Sequence, residues 1–236
     1  METNIEKARK ALADADAIHI GASNGLSISE GYNIFADNEM FRRQFGDMGQ
    51  RYGFRNVLQG VFCDFPTQEA HDEFHNRLVK YWVTDYEPSQ VMKDLRAIVG
   101  RKPYFIITTN CDMHLEKAGF AEDRVWELEG TFVSGVTHEL DMSKRPAFDR
   151  FLADYGGKRL VVLELGIGSQ IRIIKPVLYQ VTKREPMATF ITLNLPHEIV
   201  VPQEIGAKTI PLPGDIANIL KELSEWAHRK RDILIV

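Results

Sequence analysis

Two short polar stretches in the middle of the chain carry the residue types that could do chemistry. Residues 108–112 read TTNCD and follow an apolar run, and residues 127–130 read ELEG and follow Val125 and Trp126. Both apolar runs are too short for a helix and rich in strand-forming residues. Open α/β sheets bind their ligands at strand ends of this kind, so the two stretches are predicted to meet at one crevice.

Two glycine-bearing turns follow other predicted strands. Residues 21–27 read GASNGLS after AIHI, and residues 166–170 read GIGSQ after RLVVLEL. Small residues let a backbone approach a phosphate closely and present its N–H groups to it. The spacing is not G-x-G-x-x-G and no P-loop lysine is present, so the two common nucleotide fingerprints fail. The first turn is a phosphate-site candidate, with an ordinary tight turn as the alternative.

The elements that must position these stretches alternate along the chain. Strands are predicted at residues 17–20, 104–107, 125–126, 159–165, 187–193 and 208–211, and helices at 2–15, 67–85, 89–99, 146–155 and 214–228. About six strands alternating with helices indicate an α/β fold with a Rossmann-like, doubly wound parallel sheet. The strand ends GASNG, TTNCD, ELEG, GIGS and NLP would then line one edge, in a crevice that suits a dinucleotide.

Residues 30–100 are predicted to be a helical insertion or lid within a single domain that spans residues 1–236. Residues 30–66 are rich in Gly, Asn, Phe and Arg without clean periodicity, which is typical of binding loops or of several short helices. The HDEFH segment places His71 and His75 four residues apart. A zinc-protease helix needs Glu directly after the first His, so an exposed helix face is predicted instead.

Composition and charge limit the classes of function. The net charge of -4 gives no electrostatic footprint for nucleic acid. Cys63 and Cys111 are too few for a disulfide framework or a four-thiolate zinc site, which favours a reducing, cytoplasmic setting. The N-terminus lacks the apolar core of a signal peptide, and no run approaches the length of a membrane span. We therefore expect no nucleic-acid or membrane partner.

The strand ends resemble those of the sirtuin (Sir2) family, in the same order along the chain. GASNGLS is similar to the sirtuin Gly-Ala-Gly loop, TTNCD to Thr-Gln-Asn-x-Asp, and ELEG to Glu-Leu-His-Gly. LGIGS is similar to the Gly-Thr-Ser strand end, and TLNLP to the Ile-Asn strand. The resemblance covers residues 17–223 and implies NAD as the cofactor.

The resemblance also assigns roles to individual residues. Asn110 and Glu129 would be catalytic, and Asp112 would hold the nicotinamide carboxamide; without the resemblance, Asp112 could simply cap the next helix. Because residues 130–158 contain no cysteine, we expect no bound metal. The implied cofactor-binding residues are Gly21, Ala22, Ser23, Gly25, Leu26, Thr109, Asn110, Asp112, Gly166, Gly168, Ser169, Asn194 and Leu195.

Three departures from the family pattern point away from deacetylation. Glu129 stands where sirtuins have a catalytic histidine, residues 130–158 contain no cysteine for the zinc ribbon, and GYNIFAD replaces Gly-Ile-Pro-Asp-Phe-Arg. The bacterial sirtuins linked to macrodomains, called class M, also replace the histidine and carry a Leu-Glu-Leu-Gly-x-Gly strand end. That similarity implies protein ADP-ribosylation, with a lipoyl carrier protein as acceptor and a macrodomain partner in the same pathway.

Glu129 would favour transfer of ADP-ribose for a chemical reason. Cleavage of the nicotinamide–ribose bond passes through an oxocarbenium-like centre, which a carboxylate stabilises. A carboxylate with a reference pKa of about 4.3 is a weaker general base than histidine, and deacylation needs such a base. The alternatives are a deacylase that uses Glu129, NAD hydrolysis without an acceptor, or a degenerate NAD or ADP-ribose binding protein. Glu129 could also be a cap or a surface carboxylate.

Overall fold

A computed structural model describes residues 2–137, 139–169 and 171–233. The strands follow one another along the chain as β1 Ala17–Ala22, β2 Tyr104–Thr108, β3 Val125–Glu127, β4 Gly130–Thr131, β5 Gly135–Val136, β6 Leu160–Leu165, β7 Thr189–Asn194 and β8 Thr209–Pro213. Within these described residues, six strands form one parallel sheet in the order β3-β2-β1-β6-β7-β8. The predicted α/β fold with a doubly wound sheet is confirmed.

Helices connect the strands and cover both faces of the sheet. They are α1 Asn4–Asp14, α2 Asn24–Ser29, α3 Glu39–Tyr52, α4 Val57–Val61, α5 Gln68–Val79, α6 Gln90–Val99, α7 His114–Lys117, α8 Arg145–Tyr155, α9 Lys175–Arg184 and α10 Ile216–Ile233. A π-helical turn, Lys80–Thr84, continues α5. Among the described residues, no helix combines the length and apolar character needed to cross a bilayer.

The strands are apolar on both faces because helices bury both sides of the sheet. Alternate residues of β1 point to opposite sides, so Ile18 and Ile20 join a core with α1, α6 and α10. Ala17 joins a second core with α8 and α9, which also contains Phe105 and Val162 of the neighbouring strands. Two-sided burial explains why β1 and β6 read as nearly continuous apolar runs in the sequence.

The stretch between α2 and α6 folds into helices around its own apolar core. Asn38 begins α3 by accepting a hydrogen bond from the Phe41 N–H at 2.9 Å, and Gly53 ends it with a φ of 84°. The 14-residue α3 was missed as a distinct helix within residues 30–66. The core of this stretch contains Phe41, Phe45, Met48, Phe54, Val57, Phe74, Leu78, Trp82 and Val83, together with Cys111 and Phe132.

Three local details differ from the expectations. The helix predicted after TTNCD is a single turn, α7, and it starts after Met113, which has a φ of 58°. ELEG leads directly into the β4–β5 hairpin. Each of its strands has only two residues, which is too short to give a strand pattern in the sequence. His71 is exposed as expected, whereas His75 is partly buried, with its Nε2 atom 2.8 Å from the Phe132 carbonyl oxygen.

Candidate active site

The strand order reverses between β1 and β6, and the loops that follow these strands touch. The Ser23 N–H donates to the Leu165 carbonyl at 3.2 Å, and the Gly25 N–H donates to the Gly166 carbonyl at 3.0 Å. A Cβ atom on Gly25 would lie only 2.5 Å from the Cα and carbonyl oxygen of Gly166. Only glycine permits so close an approach of the two backbones. The predicted crevice therefore begins at the topological switch point of the sheet.

Five buried polar residues form one hydrogen-bonded network at the ends of β1 and β2. The Asn110 side-chain amide donates to the Ser23 carbonyl at 3.2 Å and to the Ser27 hydroxyl at 2.9 Å. The Ser27 hydroxyl donates to an Asp112 carboxylate oxygen, and the hydroxyls of Ser23 and Thr109 lie 2.9 Å apart. The structure thus brings together four predicted site residues, Ser23, Thr109, Asn110 and Asp112, and adds Ser27.

The Asn110 side chain has one acceptor without a protein partner. Its Oδ1 atom is buried and makes no hydrogen bond, while the Asn110 N–H is held by the Thr108 hydroxyl at 2.9 Å. A buried amide oxygen left in this state is costly unless a ligand hydroxyl or water donates to it. A ribose hydroxyl of NAD has the required chemistry, so the residues present fit that cofactor.

Asp112 also contacts the helix that follows it. Its Oδ1 atom accepts a hydrogen bond from the His114 N–H at 3.1 Å, while Oδ2 accepts from Ser27. The side chain therefore satisfies a main-chain donor at the start of α7, although the N-cap residue itself is Met113. Each carboxylate oxygen can accept a further hydrogen bond, so the contact with the helix is compatible with binding a carboxamide.

Glu129 lies half-buried where β3 leads into the β4–β5 hairpin. The Leu128 N–H donates to the Thr108 carbonyl at 2.9 Å, which joins ELEG to TTNCD. Burial chiefly raises the pKa of the Cys111 thiol, and the negative charge of Glu129 adds to the shift. A buried thiol with a raised pKa is a poor nucleophile. The two polar stretches therefore meet, and the Cys111 thiol between them is not a reactive group.

Two neighbouring carboxylates, Glu127 and Glu116, lie beside this junction. Glu127 ends β3 and Glu116 lies on α7, and the buried oxygens Glu127 Oε1, Glu116 Oε1 and Glu116 Oε2 have no hydrogen-bond donor. Burial raises the pKa of both carboxyls; the neighbouring Glu116 charge adds to the shift of Glu127. Their protons are held to higher pH than in an exposed glutamate.

The other side of the crevice is organised by Glu164. Its Oε1 atom accepts hydrogen bonds from the Ile167 N–H at 2.9 Å and the Asn194 amide at 3.2 Å, and its Oε2 atom accepts from the Thr192 hydroxyl. The Asn194 amide also donates to the Ile167 carbonyl at 2.8 Å. Burial raises the pKa of Glu164, although the donors oppose the shift. These bonds shape the loop that carries Gly166, the residue that touches Gly25.

Three of the residues predicted to bind the cofactor, Gly21, Ala22 and Leu26, pack against the interior of the protein. A Cβ atom on Gly21 would meet Leu178 of α9 at 2.6 Å, and the side chains of Ala22 and Leu26 lie in the apolar core. These three residues pack the sheet, and their side-chain positions do not face the crevice. The remaining predicted residues belong to the loops after β6 and β7, namely Gly168, Ser169 and Leu195; Leu195 is exposed, and the Ser169 N–H donates to Glu198.

Sequence reasoning missed Ser27 and Glu164 among the residues that organise the site. A charged residue inside the apolar run RLVVLEL is a usable signal, because a buried carboxylate needs donors that must come from neighbouring strands. Ser27 gives no such signal, since a serine in a short helix is ordinary. Within residues 2–137, 139–169 and 171–233, no group of three or more His, Cys, Asp or Glu side chains is arranged to hold a metal ion.

Solved structures of Sir2 proteins share this architecture over nearly the whole chain. A structure that addresses the mechanism and regulation of Sir2 enzymes matches with a TM-score of 0.60 at 16% identity, covering 98% of this chain and 100% of the other. A Sir2 homologue in complex with NAD matches with a TM-score of 0.59 at 15% identity, covering 95% and 94%. The chain therefore has the Sir2 fold, and the expected sirtuin architecture is confirmed.

The sequence comparison adds one relative with an assigned activity. A protein ADP-ribosyltransferase from Staphylococcus aureus strain Mu50 is 23% identical over 271 aligned residues, covering 91% of this chain and 85% of the relative. No protein-family model matches the chain. The relative and the Sir2 structures thus each cover almost the full length of this chain.

Proposed function

We propose that this chain is an NAD-dependent protein ADP-ribosyltransferase, which cleaves the nicotinamide–ribose bond and transfers ADP-ribose to a protein acceptor. The observation that carries the proposal is the position of Glu129 on a Sir2 fold. Its carboxylate stands where the family has a histidine, next to the buried network of Asn110 and Asp112. The similarity to the Staphylococcus aureus transferase supports the same activity.

The roles of the side chains follow from their surroundings. When bound, NAD supplies the glycosidic bond that is broken. The unpartnered Oδ1 atom of Asn110 accepts a hydrogen bond from a ribose hydroxyl. Asp112 accepts a hydrogen bond from the carboxamide N–H of nicotinamide. The Glu129 carboxylate stabilises the positive charge that develops as nicotinamide leaves.

The loops at the switch point hold the rest of the cofactor. The main chain around Ser23 and Gly25 lies against the pyrophosphate, and Gly166, Gly168, Ser169, Asn194 and Leu195 line the adenosine side. Residues 30–100 act as an insertion or lid over the crevice. Its apolar core already contacts Cys111, which lies between Asn110 and Asp112.

The finer assignment within the sirtuins is also a proposal. The strand end LELGIG at residues 163–168 and the glutamate at position 129 support the macrodomain-linked class M subgroup. If the assignment is right, it implies a cytoplasmic location, a lipoylated carrier protein as acceptor and a macrodomain protein as partner. Genes for a macrodomain protein, a lipoyl carrier and a lipoate ligase beside the gene for this chain would support it.

Nicotinamide release from NAD tests the proposed activity directly. In the presence of acceptor, Asn110→Ala and Glu129→Ala are expected to lower the rate by about 100-fold or more, as removal of a group that stabilises transition-state charge usually does. Glu129→Gln keeps the shape and removes the charge, so it should behave like Glu129→Ala. Glu69→Ala removes an exposed carboxylate from α5 and should leave the rate unchanged.

The distribution of label separates the alternatives. Transfer predicts that ADP-ribose from radiolabelled NAD becomes attached to a protein in a cell lysate. Nicotinamide release without labelled protein would indicate hydrolysis, and loss of acyl groups from acyl-lysine peptides would indicate a deacylase. Binding of NAD without any nicotinamide release would contradict the proposal and indicate a non-catalytic NAD-binding protein.

A further inference from the structure

His114 is a completely buried histidine whose two ring nitrogens both face oxygen atoms. Nδ1 lies 3.1 Å from the Oε1 atom of Glu30, and Nε2 lies 2.9 Å from the carbonyl oxygen of Trp82. Glu30 follows α2, and Trp82 belongs to the π-helical turn after α5. One ring therefore links the start of α7 to two separate parts of the chain.

These contacts place an oxygen atom opposite each ring nitrogen. A neutral imidazole has one N–H donor and one acceptor nitrogen, whereas a carbonyl oxygen can only accept. The Oε2 atom of Glu30 accepts hydrogen bonds from the hydroxyls of Tyr86 and Ser89, each at 2.6 Å. When both oxygens of Glu30 act as acceptors, the arrangement is complete with His114 as the doubly protonated, positively charged imidazolium.

Asp112 lies on the same side of this ring as Glu30. The distance from His114 Nδ1 to Asp112 Oδ2 is 3.8 Å, so one cation lies between two carboxylates. The Tyr86 ring stacks on the imidazole with a centroid separation of 3.6 Å, and the Tyr32 ring meets it edge-on at 4.6 Å. Together these contacts fix the ring in place and keep water away from it.

We propose that His114 is a positioning residue whose fixed positive charge orients Asp112 for the nicotinamide carboxamide and ties the insertion to the cofactor site. The proposal rests on the proposed function for the role of Asp112. His114 itself touches no reacting atom. It acts through Asp112 on one side and through Glu30 and Trp82 on the other.

The charge state predicts a direction for the pH dependence. Burial lowers the pKa of His114, but Asp112, Glu30 and the Trp82 carbonyl together outweigh burial and raise it above the ordinary value. A raised histidine pKa stabilises the folded protein fully below the unfolded-state value of about 6.5, and this contribution is lost as pH rises through the folded-state pKa. The titratable and hydrogen-bonding groups that contact the ring are Glu30, Tyr32, Trp82, Tyr86 and Asp112, and Ser89 contacts Glu30.

Nitrogen-15 NMR of histidine-labelled protein tests the charge directly. We expect one histidine to keep both ring nitrogens protonated to a higher pH than free histidine, and this signal should be absent in His114→Gln. His71→Gln removes an exposed histidine of α5 and should leave the signal unchanged. Glu30→Gln should lower the pH at which His114 loses its proton. A His114 that loses its proton at the pH of free histidine or below would overturn the proposal, and this measurement needs no NAD.

Calorimetry with NAD tests the positioning role. His114→Gln is expected to weaken NAD binding by about tenfold or more, as loss of a hydrogen bond to a charged group usually does, and to raise the KM for NAD more than it lowers kcat. Binding by the unaltered protein should weaken as pH rises through the His114 pKa, with a flatter profile in His114→Gln.

The outcomes separate this proposal from the proposed function. Equal NAD affinity and equal KM in His114→Gln and the unaltered protein would overturn the positioning role. An unaltered protein that binds NAD but releases no nicotinamide would overturn the proposed activity alone. If His114→Gln fails to fold, Glu30→Gln supplies the same comparison, since it weakens the partner of the ring and leaves the ring in place.

Discussion

The carboxylates near the crevice differ in burial and in the number of hydrogen bonds that they accept. Asp112 is hydrogen-bonded on both oxygens, and Glu129 is half-buried at the hairpin. Glu116 and Glu127 are mostly enclosed and lack donors on three of their four oxygens. Burial raises the pKa of Glu116 and of Glu127, so these two acids keep their protons to higher pH than an exposed glutamate.

Replacement of Glu116 by glutamine should make stability less dependent on pH. Because burial raises the pKa of Glu116, the folded state binds its proton more tightly than the unfolded state, so stability falls as pH rises above the unfolded-state value. Glu116→Gln should therefore be more stable than the unaltered protein at pH 8, with little gain at pH 4. Urea unfolding at the two pH values measures this difference. An equal gain in Glu69→Gln would show that net charge is responsible.

Glu164→Gln should destabilise the protein even though the side chains have the same shape. The Glu164 oxygens accept hydrogen bonds from the Ile167 N–H, the Asn194 amide and the Thr192 hydroxyl. The NH2 group of a glutamine would face at least one of these donors. An unsatisfied buried donor costs about 1–3 kcal/mol. Chemical denaturation should show a loss of this size, and NAD binding should weaken because the β6 loop shifts. Unchanged stability would mean that Glu164 is protonated and already donates to one partner.

At the scale of the elements, the contact between the loops after β1 and β6 leaves no room for a larger side chain at Gly25. Gly25→Ala would place a Cβ atom 2.5 Å from Gly166 main-chain atoms, which cannot move without separating the strands. We expect a loss of about 1–3 kcal/mol, typical of overpacking. Gly46→Ala is a matched control within α3, because its Cβ would lie 3.8 Å from Arg42 and alanine favours a helix. Thermal unfolding should show a lower midpoint for Gly25→Ala and an unchanged or higher one for Gly46→Ala.

The sequence predicted the elements whose pattern is set by burial on both faces. β1 and β6 are nearly continuous apolar runs, and the polar ends of β2 and β3 predicted that the two strand ends meet. The pattern of α3 was obscured because Gly49 interrupts its apolar face, while the caps that define its ends are single residues.

The His114 network could not be predicted from sequence for a geometric reason. Its contacts with Glu30 and Trp82 join residues 84 and 32 positions apart, and only the packing of the insertion on α7 creates them. Asn110 and Asp112 were found because they belong to one short motif. Their partner Ser27 was missed, because that contact spans 83 and 85 positions.

At the scale of the whole molecule, the insertion and the sheet should unfold together. The core of the insertion includes Cys111 and Phe132, which belong to the segments that form the candidate site, and Trp82 packs edge-on against Phe132 at 5.6 Å. Trp126→Phe combined with Trp226→Phe leaves Trp82 as the fluorescent reporter of the insertion. Its urea midpoint should coincide with that of circular dichroism, which reports all helices and strands. Two separate midpoints would show that the insertion is an independent unit.

The glycine contact between the loops after β1 and β6 has a consequence for tracing the ancestry of proteins with this fold. Gly25 and Gly166 are required because two backbones touch, and Gly21 is required because α9 packs on it. A descendant that had lost its catalytic activity would still be selected to retain these glycines, since its fold depends on them. Glu129, which we propose to be catalytic, would be free to drift, whereas Asn110 also holds the buried network in place. Retained glycines would then record common descent, and the side chain at position 129 would record whether the proposed chemistry survived.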